Sequence, residues 1–139
     1  MNTNFGLSFH HLGLALQDDV QSIMFLRGQG YEIGEKVFDF EQNVHLRFCQ
    51  SVDMPAVELV LPGSGVGPLT PILKHYNEIM YHSCYETEEL GLSLSAMEAS
   101  GLRILHVSPP KPALLFGGRK VSFYKVMGFG LIEILEPFD

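Results

Sequence analysis

Positive charge is scarce in this chain. Nine Lys and Arg stand against 16 Asp and Glu, a formal net charge of −7. Broad nucleic-acid binding wants a basic patch, so that class is excluded. An anionic substrate held by a few local cations stays compatible with the balance. Long apolar runs are lacking too. Hydrophobic residues make up 46% of the chain, yet none of their runs approaches the roughly 18 residues of a membrane span. No membrane partner is therefore expected. Met1-Asn2-Thr3-Asn4 has neither a basic n-region nor an apolar h-region, and no signal peptide is expected. Cys49 and Cys84 are the only cysteines, and they fit no metal or redox spacing. They read as buried free thiols in a reducing cytoplasm. Gly117-Gly118-Arg119-Lys120 lacks the spacing of a phosphate-cradling loop. A length of 139 residues implies one domain, long enough for a hydrophobic core.

What the chain does contain is organised around Phe9-His10-His11-Leu12-Gly13-Leu14-Ala15-Leu16. Large apolar residues alternate with small or polar ones, which predicts a strand. His11 shares its face with Gly13 and Ala15, too small to fill space, so that face borders a cavity. The stretch has an echo in Tyr81-His82-Ser83-Cys84-Tyr85-Glu86. From 11 to 82 is 71 positions, and the glycines that close the following helical patterns, Gly30 and Gly101, are also 71 apart. Each half ends in an apolar strand holding one carboxylate, Glu58 within Val57–Pro62 and Glu133 within Ile132–Pro137, 75 positions apart. The chain thus reads as two copies of one unit.

A carboxylate flanked by Val, Leu and Ile belongs to a buried strand. Burying it unpaired is costly, so it is paired or binds a metal. His11, Glu58, His82 and Glu133, in matching places of two repeats, can give two nitrogen and two oxygen ligands to one divalent cation. Such a mixed set suits Zn, Mn, Co, Ni or Fe without choosing among them.

Between these landmarks, Gln17-Asp18-Asp19 starts a helix with acidic groups near its positive end, and Val20, Ile23, Met24 and Arg27 follow at helical spacing. Residues 31–38 read as one strand, 39–43 as a polar turn and 44–49 as a strand. The Pro/Gly-rich stretch 62–71 connects the repeats, with a short helix in 69–76. Thr87 is the expected N-cap of a helix whose core stripe is Leu90, Leu94 and Met97. Residues 102–107 and 121–126 read as strands. Ser108-Pro109-Pro110-Lys111-Pro112 is expected to leave the sheet, because proline lacks the ladder donor.

The paired βαβββ units, with His and Glu on their first and last strands, resemble the vicinal oxygen chelate superfamily. That group includes glyoxalase I, methylmalonyl-CoA epimerase, extradiol dioxygenases and bleomycin-resistance proteins. His11-Leu12-Gly13-Leu14-Ala15 resembles its opening strand and Gly130-Leu131-Ile132-Glu133-Ile134 its closing strand, within a likeness spanning roughly residues 7–137. The resemblance implies an α+β fold of two βαβββ repeats (7–62 and 77–137, linker 63–76), forming a curved eight-stranded sheet around a metal-binding cleft. It also implies that His11, Glu58, His82 and Glu133 ligate the metal, and that the assembly is a homodimer. Some epimerases carry Gln where this chain has Glu58. The His-Glu-His-Glu set also occurs in glyoxalase I, so ligands alone do not separate the two.

Glu41-Gln42-Asn43-Val44 resembles the Glu-Gln-Gly-Val segment of methylmalonyl-CoA epimerases, whose Glu transfers a proton. Asn replaces Gly there, and Asn tolerates a left-handed turn. The resemblance gives Glu41 the role of base and leaves Glu133 as a second proton carrier. The expected function is a metal-dependent epimerase or isomerase acting α to the carbonyl of an acyl thioester. The alternatives are a glyoxalase I-type lactoylglutathione lyase and a non-catalytic small-molecule-binding protein. Arg119 and Lys120, in the densest cationic group, are candidates to meet the phosphates of coenzyme A or a phosphopantetheine arm.

Overall fold

The computed structural model describes residues 4–139. In chain order its elements are β1 (Leu7–Leu16), α1 (Val20–Gly28), β2 (Glu32–Ile33), β3 (Val37–Asp39), β4 (Val44–Gln50), β5 (Val57–Pro62), α2 (Thr70–Leu73), β6 (Glu78–Thr87), α3 (Leu90–Ala99), β7 (Ile104–Pro112), β8 (Lys120–Val126) and β9 (Gly130–Leu135). A 3-10 turn, Leu114–Phe116, precedes β8. The α+β class agrees with the sequence reading; the second repeat has the expected βαβββ order, and the first has one strand more. Among the described residues no helix is long and apolar enough to cross a membrane.

Among the described residues the strands number nine, where eight were expected. The expected strand over 31–38 is broken at Gly34. A Cβ at Gly34 would stand 2.3 Å from the Phe48 carbonyl oxygen, so only glycine lets the two backbones approach. The Gly34 carbonyl accepts from the Arg47 guanidinium, and the chain re-enters the sheet as β3.

The chain divides into two compact units, and β1 and β6 contribute residues to both. In the unit spanning His11–Tyr81, the strand order is β2-β4-β5-β1, with β3 also beside β4. β1 runs parallel to β5, and β4 runs antiparallel to β2, β3 and β5. The parallel pair arises because a helix and the β2–β4 strands intervene between β1 and β5. One face carries the core: Leu16, Leu26, Tyr31, Cys49, Val57, Leu59 and Leu61, with Leu14, Ile23 and Ile33 against it. Val20 and Met24, read at helical spacing on α1, are exposed. Burial pushes the Cys49 thiol up from its ordinary range. Leu59 is fully buried there, so Leu59→Ala should cost about 2–5 kcal/mol. Urea unfolding checks this; a loss under roughly 1 kcal/mol would mean the cavity collapses.

Asp19 does not cap α1 with its side chain. Its carboxylate accepts from Arg47 Nε at 2.8 Å, tying the start of the helix to β4, while Asp18 accepts from the Val20 N–H.

The second unit contains the chain up to His10 and from His82 onward. Its strand order is β6-β9-β8-β7, with β6 parallel to β9 and the other neighbours antiparallel. Met97, Tyr124, Val126, Ile132 and Ile134 form its main cluster, packed by Leu90 and Leu94 of α3 as the stripe predicts. Phe5 and Leu7 pack on the same cluster. The α3 N-cap is Glu89, two residues later than expected, and its carboxylate accepts from the Gly91 N–H. Thr87 instead bonds the Ser93 hydroxyl and the Glu89 N–H.

The prolines at 109–112 do not leave the sheet. β7 runs through Pro112, at the end of its unit's strand order, with register shifts on either side of Ser108. An edge strand uses only one side of its ladder, and bulges absorb the missing donors.

Candidate metal centre

Each unit carries one histidine–glutamate pair, assembled in the same way. In the first, β1 and β5 lie parallel with Gly13 opposite Glu58. Side chains alternate along a strand, so His11 shares the face of Gly13. Gly13 presents no side chain, which leaves the His11 imidazole free to turn toward Glu58. Its Nε2 stands 3.6 Å from Glu58 Oε1. In the second unit Cys84, small again, lies opposite Glu133 on the parallel β6–β9 pair. His82 Nε2 stands 3.2 Å from Glu133 Oε1. All four side chains are buried, at 0% exposure for His11, 4% for Glu58 and His82, and 3% for Glu133.

A third residue belongs to each pair, and sequence reasoning missed it. Phe48 on β4 faces Glu58 across the antiparallel ladder, and Phe123 on β8 faces Glu133. The Phe48 ring meets the His11 imidazole at 5.5 Å and 87°. The Phe123 ring meets His82 at 5.4 Å and 86°. Three adjacent strands thus give aromatic, carboxylate and imidazole in that order, twice. The available signal was a phenylalanine ten positions before each glutamate, from 48 to 58 and from 123 to 133.

The donor set fits a divalent metal. A carboxylate oxygen facing an imidazole nitrogen needs a positive centre between them, a proton or a metal ion. Each pair offers one imidazole nitrogen and one carboxylate oxygen, ligand types that Zn and its neighbours accept. Burial makes an ionised carboxylate costly unless it is paired or bound to a cation.

The remaining candidates lie elsewhere on the two units. Glu41 is exposed on the turn 40–43 between β3 and β4. That turn is pinned by buried Asp39, whose carboxylate accepts from the Gln42 N–H at 3.1 Å and from Gln42 Nε2 at 2.8 Å. Asn43 has φ +54°, so it takes the left-handed conformation expected of it. Its amide donates to the Ser64 carbonyl. Arg119 is engaged: one terminal N–H donates to Glu86 Oε2 at 2.9 Å and its Nε–H to the Glu136 carbonyl at 2.8 Å. The guanidinium also lies 5.5 Å over the Phe138 ring. Lys120 is exposed at the start of β8. Both cysteines are buried and in no disulfide, as expected.

Comparison with known proteins bears on the family and the fold. The model of the Glyoxalase/Bleomycin resistance protein/Dioxygenase superfamily matches residues 9–123. The chain belongs to that superfamily. Among solved structures it is similar to methylmalonyl-CoA epimerase from Mycobacterium tuberculosis (TM-score 0.78, 14% identity, 100% of this chain and 93% of that one). It is similar to a hypothetical protein from Bacillus halodurans (TM-score 0.75, 16% identity, 96% of each chain). A Streptomyces coelicolor methylmalonyl-CoA epimerase variant in complex with 2-nitronate-propionyl-CoA aligns with TM-score 0.71 at 20% identity, over 94% of this chain and 97% of that one. No curated protein sequence matches.

Proposed function

We propose that the chain is a divalent-metal-dependent epimerase or isomerase of an acyl thioester, acting by proton transfer at the carbon α to the carbonyl. The observation that carries this reading is the twinned pair of buried His–Glu couples, His11 with Glu58 and His82 with Glu133. Together they would hold one ion through two imidazole nitrogens and two carboxylate oxygens. A divalent ion supplies Lewis-acid polarisation of a substrate carbonyl, which acidifies the α-proton. Glu41 is the base that removes that proton, and Glu133 the group that returns one on the opposite face. General acid–base catalysis needs one such group within hydrogen-bond reach on each side of the α-carbon.

Two further facts support an epimerase. The fold neighbours include methylmalonyl-CoA epimerases, one of them in complex with methylmalonyl-CoA. The Glu41-Gln42-Asn43-Val44 turn also holds Asn43 in the left-handed region that glycine would take in the related segment. The second reading, a glyoxalase I-type lyase, rests on Glu58, since His-Glu-His-Glu is also the glyoxalase I set. The substrate proposed is a small acyl thioester of coenzyme A or of a phosphopantetheine arm, with exposed Lys120 a contact for its phosphates.

Incubating the metal-loaded protein with methylmalonyl-CoA in deuterated water tests this reading. One deuterium should enter at the α-carbon, and none in protein stripped by a chelator. Absence of exchange, with conversion of a glutathione hemithioacetal to lactoylglutathione, would move the assignment to the lyase.

A further inference from the structure

The Phe48 and Phe123 rings repeat with a fidelity their strands do not share. Advancing by 75 positions maps 44–50 onto 119–125, and phenylalanine is the only identity among those seven pairs. His45 maps to Lys120, Arg47 to Ser122 and Cys49 to Tyr124. The same shift carries Glu58 onto Glu133. Each ring lies two strands from its histidine, with the glutamate strand between. The two contacts agree within 0.1 Å and 1°, at 5.5 Å and 87° against 5.4 Å and 86°.

An imidazole on a strand keeps freedom about its outer torsion, which is broad and roughly two-fold. Gly13, the next same-face residue after His11, presents no side chain there. An edge-to-face aromatic contact limits that rotation, because the ring quadrupole favours a near-perpendicular approach. Metal-ligating histidines are commonly oriented by hydrogen bonds from outer-shell partners. An aromatic ring also stands beside each imidazole.

We propose that Phe48 and Phe123 are positioning residues: each ring fixes the plane of its histidine so that Nε2 stays turned toward the neighbouring glutamate. The proposal rests on the metal reading above, because the orientation matters for the ion that the His–Glu pairs would hold. Its consequence is slow metal release and one defined coordination geometry. Both phenylalanines are partly buried.

The test uses the full chain loaded with cobalt(II). Release to a chelator is timed, and the visible absorption bands record ligand geometry. Phe48→Leu and Phe123→Leu should each release cobalt about tenfold faster and shift the bands, the lower end of what outer-shell partners contribute. Phe48→Tyr and Phe123→Tyr keep the ring and should restore the wild-type rate and spectrum. Thermal unfolding of the metal-free forms separates lost packing from lost orientation, and Phe48→Met or Phe123→Met replaces a Leu variant that does not fold. Leu variants with the wild-type rate and bands overturn the proposal. So do Tyr variants that release as fast as the Leu ones. Wild-type protein that takes up no cobalt is a different failure: it removes the metal reading, and this proposal with it.

Discussion

His82→Ala should empty the metal site. The substitution removes one of two proposed nitrogen donors and leaves Glu133, 97% buried, without its imidazole neighbour. Losing an outer-shell partner alone costs roughly 10–100-fold in metal affinity, and loss of a direct ligand should exceed that. Elemental analysis after dialysis should therefore fall from one ion per chain to near zero. His11→Ala, Glu58→Ala and Glu133→Ala should do the same, since each is a proposed ligand. Glu58→Gln should be milder, because the amide keeps an oxygen ligand at the same place and some related epimerases use Gln there. Metal that binds the folded form only stabilises it, by about 4 kcal/mol at a thousandfold excess over Kd. Chelation should accordingly lower the wild-type melting temperature while leaving that of His82→Ala almost unmoved. Unchanged metal stoichiometry in all four alanine variants would falsify the ligand set.

The elements legible in the sequence are those fixed by local pattern. His11 and His82 could be placed on strands because their neighbours alternate, and Glu58 and Glu133 could be read as buried because apolar residues flank them. The 71- and 75-position repeats then paired them before any contact was known. What escaped depends on partners far along the chain. Asp19 looks like a helix cap by position, but Arg47, 28 residues away, takes its carboxylate. Gly34 looks like an ordinary residue inside a strand pattern, and only the approach of the Phe48 backbone shows why the strand breaks there. The prolines of β7 argue against a strand by propensity; position at the end of the β6-β9-β8-β7 order overrides that. Phe48 and Phe123 look like any alternating strand residue, because their role follows from cross-strand register, which composition does not carry.

Glu41→Gln should slow α-proton exchange by orders of magnitude and leave the metal in place. The substitution keeps the length and shape of the side chain and removes the only group at that position able to accept a proton. Positioned general bases contribute about 10²–10⁴-fold, and the loss should fall in that range. Metal content should not change, because Glu41 lies on the turn 40–43 and is no part of either His–Glu pair. Folding should not change either. The turn is held by the Asp39–Gln42 hydrogen bonds, by Asn43 at positive φ and by the Gly63 N–H donating to the Asn43 carbonyl, none of which uses the Glu41 side chain. The measurement is deuterium incorporation into methylmalonyl-CoA, followed by mass spectrometry on protein of equal metal content. Exchange at one face alone should persist at a low rate if Glu133 still moves its proton, so the stereochemistry of the residual label separates the two carboxylates. Full exchange in Glu41→Gln takes Glu41 out of the mechanism and leaves Glu133 to carry the proton. Loss of metal together with loss of exchange would place Glu41 among the ligands instead, and the base would have to be sought elsewhere.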